Sequence, residues 1–277
     1  MLINNESMAK HCSFRSGGIA RKFFVPDSIK SLSEFLRENT LPVLMLGLGS
    51  NILVRDTGFN GVVIKVLQLK NLCREGIFVI ADAGLTLSKL SRYCDKQKLN
   101  GAEFLSAIPG TVGGALAMNA GAFGSEFWNY VESVTTINKD GQLLERTKKD
   151  FDVGYRYVKH HHPGEYFVSA KLILPEKINS QNIKELLLER NKLQPIGKPS
   201  CGSVFKNPKD NFAASMIDKC NLKGFCIGGA CVSDKHANFI INTGDASASD
   251  IENLIKHIQD SVHQQFSITL ETEVKII

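Results

Sequence analysis

The chain has 277 residues, 43% apolar and 22% charged, which excludes fibrous, collagenous and disordered classes and suffices for one large domain or two to three small ones. Its most apolar window, Leu41 to Val54, is broken by Gly47, Gly49, Ser50 and Asn51, well short of the roughly 18 uninterrupted apolar residues of a membrane helix, and Met1-Leu2-Ile3-Asn4-Asn5-Glu6 lacks the basic end and apolar core of a secretory signal. Thirty-three Lys plus Arg against 28 Asp plus Glu leave a net charge of +5 spread along the chain rather than gathered in a stripe, which suits small anionic ligands more than nucleic acid; with no apolar span, neither nucleic acid nor a membrane is expected as partner.

In chain order, Pro26-Asp27-Ser28 starts a short amphipathic helix to Asn39, with Ile29, Leu32, Phe35 and Leu36 on one face. Pro42 to Leu46 reads as a buried strand, followed by the Gly47 to Asn51 loop and two short strands, Ile52 to Val54 and Val62 to Ile64. A strand is expected over Ile77 to Ala81, a helix over Thr86 to Lys98, a hairpin over Val134 to Thr147 turning at Asp140-Gly141, and a strand over Phe167 to Leu174. A helix over Gln181 to Leu193 places Ile183, Leu186, Leu187 and Arg190 to link modules, with a boundary near residue 185. Beyond it come a helix over Ala213 to Cys220, strands at Cys231-Val232 and Phe239 to Asn242, and a long helix from about Ser249 to Phe266. Its stripe is Ile251, Leu254, Ile255, Ile258, Val262 and Phe266, and Ser249-Asp250-Ile251-Glu252 fits a capping box. Leu270 to Ile277 closes the chain as a strand.

Seven cysteines, an odd number without an export signal, predict free thiols in a reducing cytosol rather than disulfides. Cys220, Cys226 and Cys231 cluster without a CxxC pair, so they read as small buried hydrophobes, and no metal is assigned. The His160-His161-His162 run reads as a solvated loop before Pro163-Gly164, because adjacent residues do not share one ligating face.

Two glycine-rich loops carry the first chemical signal. Gly47-Leu48-Gly49-Ser50-Asn51 follows a buried strand and offers backbone N–H groups to an anion, but no P-loop lysine and no third Rossmann glycine follow. Ile108-Pro109-Gly110-Thr111-Val112-Gly113-Gly114-Ala115 is a second turn of small, permissive positions, and two such loops can clasp one diphosphate.

Together with Met118-Asn119-Ala120-Gly121-Ala122-Phe123-Gly124, these loops resemble the FAD-binding signature of the UDP-N-acetylenolpyruvoylglucosamine reductase family. Gly154-Tyr155-Arg156-Tyr157 resembles that family's arginine motif, Pro199 to Pro208 its serine motif, and Leu270-Glu271-Thr272-Glu273-Val274 its terminal glutamate motif. Gly228-Gly229-Ala230, Ser233 and Lys235 to Asn242 resemble its substrate-domain core, so the likeness runs from about Ser13 to Ile277.

The resemblance implies an α+β flavoprotein: a two-module FAD-binding region of the PCMH/VAO type (1–66 and 67–186, the latter with a terminal strand 271–277) plus a C-terminal α/β substrate-binding domain (187–270). FAD would be held non-covalently by Gly47, Leu48, Gly49, Ser50, Asn51, Ile52, Pro109, Gly110, Thr111, Gly113, Gly114, Asn119 and Gly121, and UDP-N-acetylglucosamine enolpyruvate by Tyr155, Lys192 and Asn207. NADPH would be the reductant, UDP-N-acetylmuramate the product, the cytoplasm the location, and the enzyme a monomer.

Reducing an enolpyruvyl ether requires a hydride at the vinyl carbon, which a flavin supplies because no side chain can, and a proton at the carbon bearing the carboxylate. The resemblance makes Ser203 the proton donor and sets Arg156 and Glu273 at the substrate carboxylate. A carboxyl beside an anion helps only if protonated or hydrogen-bonded, and Lys206 is the nearest cation in sequence to Ser203. On local sequence alone Ser203 reads more readily as a turn residue than as a catalytic one, Arg156 as an ion-pair partner and Glu273 as an edge charge, with Glu271 on the same strand face.

Val158 stands where the family often has serine, and Asn221 where glycine is usual, a position asparagine fills because it tolerates a left-handed backbone. The short interval from Arg156 to Ser203 leaves little room for the inserted tyrosine-bearing loop of one subgroup, so the chain resembles the subgroup without that loop. Two rivals are another oxidase or dehydrogenase on the same flavin fold acting on a sugar or hydroxy acid, whose covalent-FAD version is disfavoured by the lack of histidine in either glycine loop, and a non-catalytic nucleotide-binding protein, against which the set of Arg156, Ser203 and Glu273 argues.

Overall fold

A computed structural model describes residues 1–176 and 182–277. In chain order the strands and helices are β1 (Leu2–Ser7), β2 (Ile19–Phe24), α1 (Ile29–Glu38), β3 (Val43–Leu46), β4 (Ile52–Leu53), β5 (Phe59–Lys65), β6 (Leu72–Glu75), β7 (Phe78–Asp82), α2 (Leu87–Lys96) and α3 (Val112–Met118). There follow β8 (Gly121–Ala122), β9 (Ser125–Glu126), β10 (Val131–Ile137), β11 (Leu143–Thr147), β12 (Phe151–Gly154), β13 (Tyr157–His160) and β14 (Tyr166–Ile173). The chain ends with α4 (Ile183–Leu193), α5 (Ala213–Lys219), β15 (Cys226–Ile227), β16 (Ala230–Val232), β17 (Ile240–Asn242), α6 (Ala248–Phe266) and β18 (Lys275–Ile276). The class is α+β, as expected.

Two compact units divide the chain: residues 1–3, 23–48 and 61–189, and residues 4–22, 49–60 and 190–277. The first is built on an antiparallel sheet in the order β11-β10-β14-β7-β6. Its larger core gathers Val79, Leu90, Phe104, Leu116, Phe127 and Trp128 under that sheet; a second cluster packs Leu32 and Leu36 of α1 against Val62 and Ile64 of β5, which runs parallel to β3. Along β14 the buried Val168, Ala170 and Leu172 alternate with the less buried Ser169, Lys171 and Ile173, the period-2 signature of a sheet with one covered face.

In the second unit β15, β16 and β17 form a small antiparallel sheet and α6 supplies the main apolar wall: Ile251, Leu254, Ile255, Ile258 and Val262 are all buried. The helix begins at Ala248 with Ser247 as its N-cap, two residues before the cap that the sequence pattern placed at Ser249. Its capping box is Ser247 with Asp250, not Ser249 with Glu252, because the Ser249 hydroxyl and N–H are held by the Asp56 carboxylate. The expected terminal strand over Leu270 to Ile277 is reduced to β18, parallel to β4, and a single bridge between Thr272 and Phe205.

The expectation of free thiols throughout is also corrected. Cys226 and Cys231 form a disulfide, because they stand directly opposite each other in the β15–β16 register across the Gly228-Gly229 turn, with Cα atoms 4.1 Å apart. An odd count says nothing about a pair that a tight hairpin brings face to face. The other five are free; of these, Cys94 and Cys201 are buried and their thiols are pushed up to about 12 by that burial, so they are inert packing groups.

Nor is the histidine run a solvated loop along its whole length. His160 ends β13 with its ring on Phe151 and Nε2 3.4 Å from the Glu165 carboxylate, while His161 and His162 pair with Asp152 and Asp150. Sequence periodicity missed β1, β2, β6, the α3 helix inside the second glycine segment, and the β12–β13 hairpin; Gln181, the expected start of the helix before Leu193, lies outside the described residues. No helix among the described residues is long and apolar enough to cross a membrane.

Candidate active site

In the first unit the second glycine segment is half turn and half helix. Thr111, 1% exposed, caps α3 by accepting the Gly114 N–H, and the Val112 and Gly113 N–H groups bond the carbonyls of Leu85 and Ala83, fixing the segment to the end of β7. A β-carbon at Gly47 would lie 2.4 Å from Thr111 Oγ1, so the first loop touches the second only because position 47 is glycine. Gly114 and Ala117, one turn apart, are both exposed, and a β-carbon on Gly114 would meet nothing nearer than Thr111 Oγ1 at 3.7 Å. At Gly114 and Ala117 this face of α3 carries nothing larger than a methyl group, which leaves it open to a broad flat ligand.

The arginine motif docks onto the far end of the same helix. Tyr155 and Arg156 form the turn of the β12–β13 hairpin, where Gly154 pairs with Tyr157, and Arg156 takes a left-handed φ of 54°. Its guanidinium donates to the Gly121 carbonyl from Nη2 (2.7 Å) and to the Asn119 carbonyl from Nη1 (3.5 Å), and stands 5.2 Å from the Tyr155 ring centre. A β-carbon at Gly121 would come within 3.1 Å of Nη1, so this glycine makes room for the cation. Gly47, Pro109 to Gly114, Asn119, Gly121, Tyr155 and Arg156 are thus parts of one construction.

In the second unit three segments distant in sequence meet. Asn51 donates from Nδ2 to the Glu273 carbonyl (3.0 Å) and accepts the Lys275 N–H at its own carbonyl (3.1 Å). The Glu273 N–H donates to the Val204 carbonyl (2.8 Å), the Lys206 N–H to the Glu271 carbonyl (2.9 Å), and Cys201 Sγ approaches the Ile52 and Gly49 carbonyls. The loop at 49–52, the serine at 203 and the glutamate at 273 are therefore one backbone-bonded piece. Gly49 (φ +71°) faces the His11 carbonyl at a distance where a β-carbon would lie 2.0 Å away, and Gly202 (φ +74°) sets the turn before Ser203.

Ser203 is half-buried, and its hydroxyl has no hydrogen-bond partner among the described residues. Lys206 makes a surface ion pair with Glu271 (3.1 Å). Asn207 accepts the Ala213 N–H at the start of α5 (3.1 Å), and Lys192 is exposed on α4. Asn221, in the place of a glycine, has φ 56° as its residue type allows.

Sequence reasoning passed over the residue that shapes the serine turn. Asn238 is 4% exposed; its Oδ1 accepts the Phe205 N–H, its Nδ2 donates to the Phe205 carbonyl, and its own carbonyl accepts from Val204 N–H. The available signal was a lone amide in the apolar run Ala237 to Ile241, a position where a buried polar group must be fully bonded.

Comparison with known proteins accounts for both halves. The family model for the FAD binding domain matches residues 21–147, and that for the UDP-N-acetylenolpyruvoylglucosamine reductase C-terminal domain matches residues 194–277. The UDP-N-acetylenolpyruvoylglucosamine reductase of Alkalilimnicola ehrlichii is 48% identical over 98% of this chain and 93% of its own length, and that of Methylococcus capsulatus 46% identical over 99% and 92%. Among solved structures, UDP-N-acetylenolpyruvylglucosamine reductase from Thermus caldophilus superposes with a TM-score of 0.85 at 30% identity, covering 100% of this chain and 99% of that one.

Proposed function

The chain belongs to the UDP-N-acetylenolpyruvoylglucosamine reductase family, and as an FAD-dependent oxidoreductase of that family we propose that it reduces UDP-N-acetylglucosamine enolpyruvate to UDP-N-acetylmuramate, with NADPH as reductant and Ser203 as proton donor. The observation that carries the serine assignment is the ladder joining Asn51, Glu273 and Val204, which makes the glycine loop, the proton donor and the glutamate a single rigid element.

FAD, when bound, supplies the hydride that reaches the vinyl carbon. The chain's own residues do the rest. Gly47, Leu48, Gly49, Ser50, Asn51, Ile52, Pro109, Gly110, Thr111, Gly113, Gly114 and Gly121 would hold the cofactor. Asn119 and Asn51 direct their side-chain amides to protein carbonyls, so their part in that binding falls to the backbone or to the loops they brace.

Tyr155, Lys192 and Asn207 would bind the nucleotide-sugar, the lysine by its charge toward the diphosphate. Ser203 Oγ delivers its proton to the carbon beside the substrate carboxylate while Arg156 and Glu273 stabilise the charge that builds there, the glutamate acting as an acid or through an intervening cation. A hydroxyl with no partner among the described residues is free to point at substrate, and the Arg156 guanidinium is held in place by the Asn119 and Gly121 carbonyls. Residues 1–66 and 67–186 are assigned to cofactor and 187–270 to substrate.

NADPH and the enolpyruvyl nucleotide would act in turn, giving ping-pong kinetics. Anaerobic spectroscopy tests the reading: the purified protein should be yellow, bleached by NADPH and recoloured by the enolpyruvyl nucleotide alone. Colour that this nucleotide does not restore would instead indicate an oxidase of other specificity, and absence of flavin a binding protein.

A further inference from the structure

Asn119 sits where the glycine helix ends and the arginine hairpin is anchored. It caps α3 in the left-handed region (φ 47°, ψ 59°) and is 2% exposed. Its Nδ2 donates to Glu126 Oε2 (2.8 Å) and to the Gly154 carbonyl (3.1 Å), and its Oδ1 accepts the Trp128 N–H (3.1 Å), so both amide hydrogens are engaged within the protein. Its own carbonyl, with that of Gly121, receives the Arg156 guanidinium.

We propose that Asn119 is a positioning residue for Arg156: one buried amide closes the glycine helix and clamps the root of the arginine turn at Gly154, so the guanidinium is presented at a fixed place beside the cofactor segment. The proposal rests on the reading of Arg156 given above. A left-handed conformation at a residue with a β-carbon persists only where its surroundings over-determine it. Arg156 is held at both ends, its head by two carbonyls and its turn through Gly154, and Asn119 takes part in both.

The residue type follows. Asparagine alone combines ease in the left-handed region with two donors and an acceptor. Glycine would keep the backbone and lose the clamp, whereas aspartate would keep the shape and the Trp128 contact but set a carboxylate against Glu126 and the Gly154 carbonyl.

The test is rapid-mixing measurement of both half-reactions in FAD-loaded Asn119→Asp. Reoxidation of reduced flavin by the enolpyruvyl nucleotide should slow by ~10–10²-fold, the cost of displacing a reacting group by about an ångström, and by more than reduction by NADPH slows. Adding Glu126→Gln, which returns a donor–acceptor pair to the 2.8 Å contact, should recover part of that loss, and in an Arg156→Lys background Asn119→Asp should add nothing.

If Arg156→Lys slows reoxidation but Asn119→Asp does not, or if Asn119→Asp slows both half-reactions alike or costs the bound FAD, the positioning role is overturned while the arginine reading stands. If Arg156→Lys leaves reoxidation unchanged, both are overturned. Should Asn119→Asp fail to fold, Glu126→Ala removes the same partner at a half-exposed position; slowing of reoxidation alone supports the role, and an unchanged rate overturns it.

Discussion

The arginine region of the first unit and the serine region of the second are built on opposite plans. Arg156 is held by hydrogen bonds at its head and a strained turn at its backbone, whereas Ser203 sits on a backbone ladder with its hydroxyl left unpartnered among the described residues. Each plan suits one chemical task. A group that stabilises charge gains from being fixed before the charge appears, and a group that gives up its proton must be free to turn toward the acceptor.

Replacing the fixed group should therefore have a large effect. Arg156→Ala removes the guanidinium while relieving the left-handed strain only in part, since alanine also carries a β-carbon. Reoxidation of reduced flavin by the enolpyruvyl nucleotide is expected to fall by ~10²–10³-fold, the usual loss when one preorganised donor is taken from a developing oxyanion. Stopped-flow reoxidation measures it; a loss under tenfold would remove the distinction between a fixed and a free group.

The glycines sharpen the same contrast. Gly49→Ala sets a β-carbon 2.0 Å from the His11 backbone carbonyl at φ +71°, so neither partner can yield; a loss of about 3 kcal/mol or more in denaturant stability and of FAD content is expected. Gly47→Ala meets a side chain, Thr111 Oγ1, at 2.4 Å, and the threonine can rotate at the expense of its helix cap, a loss of about 1–2 kcal/mol. Equal losses would mean that the neighbour's nature does not decide the outcome.

The smallest effect concerns acid. Burial holds the His160 imidazole below its ordinary 6.5 despite the Glu165 carboxylate beside it, and the Arg146 guanidinium holds Glu165 below its ordinary 4.5. Both folded values lie beneath the unfolded ones, so the stability they contribute is complete above the unfolded values and is lost as pH falls, first below about 6.5 and again below about 4.5. Melting temperature should drop by a few degrees between pH 7 and 5, and His160→Gln should make that interval shallower, the buried His236 imidazole, also held below 6.5, keeping the rest, while leaving the lower one. A His160→Gln profile as steep as the parent's would contradict this.

Much of the fold was legible where one physical pattern dominated. The α6 stripe, the α1 stripe and the Asp140-Gly141 hairpin follow from periodicity and turn chemistry, because each buries a single face. What stayed hidden depends on contacts distant in sequence. α3 is a seven-residue helix with two glycines, whose propensity argues against it and which stands because Thr111 caps it and Ala83 and Leu85 receive its first N–H groups. The Cys226–Cys231 disulfide depends on strand register, and the Ser247 cap on Asp56, almost two hundred residues away. At the site the motif residues were named from resemblance, but their supports were not. Asn238 beneath the serine turn and the side-chain work of Asn51 and Asn119 are amide-to-backbone bonds that leave no periodic trace.

The central claim is that the Ser203 hydroxyl protonates the reduced substrate and takes no part in reducing the flavin. Rapid-mixing comparison of the two half-reactions in Ser203→Ala tests it most directly: reduction by NADPH should keep its parent rate while reoxidation by UDP-N-acetylglucosamine enolpyruvate slows by ~10²–10⁴-fold. Equal slowing of both, or reoxidation at the parent rate, would contradict it.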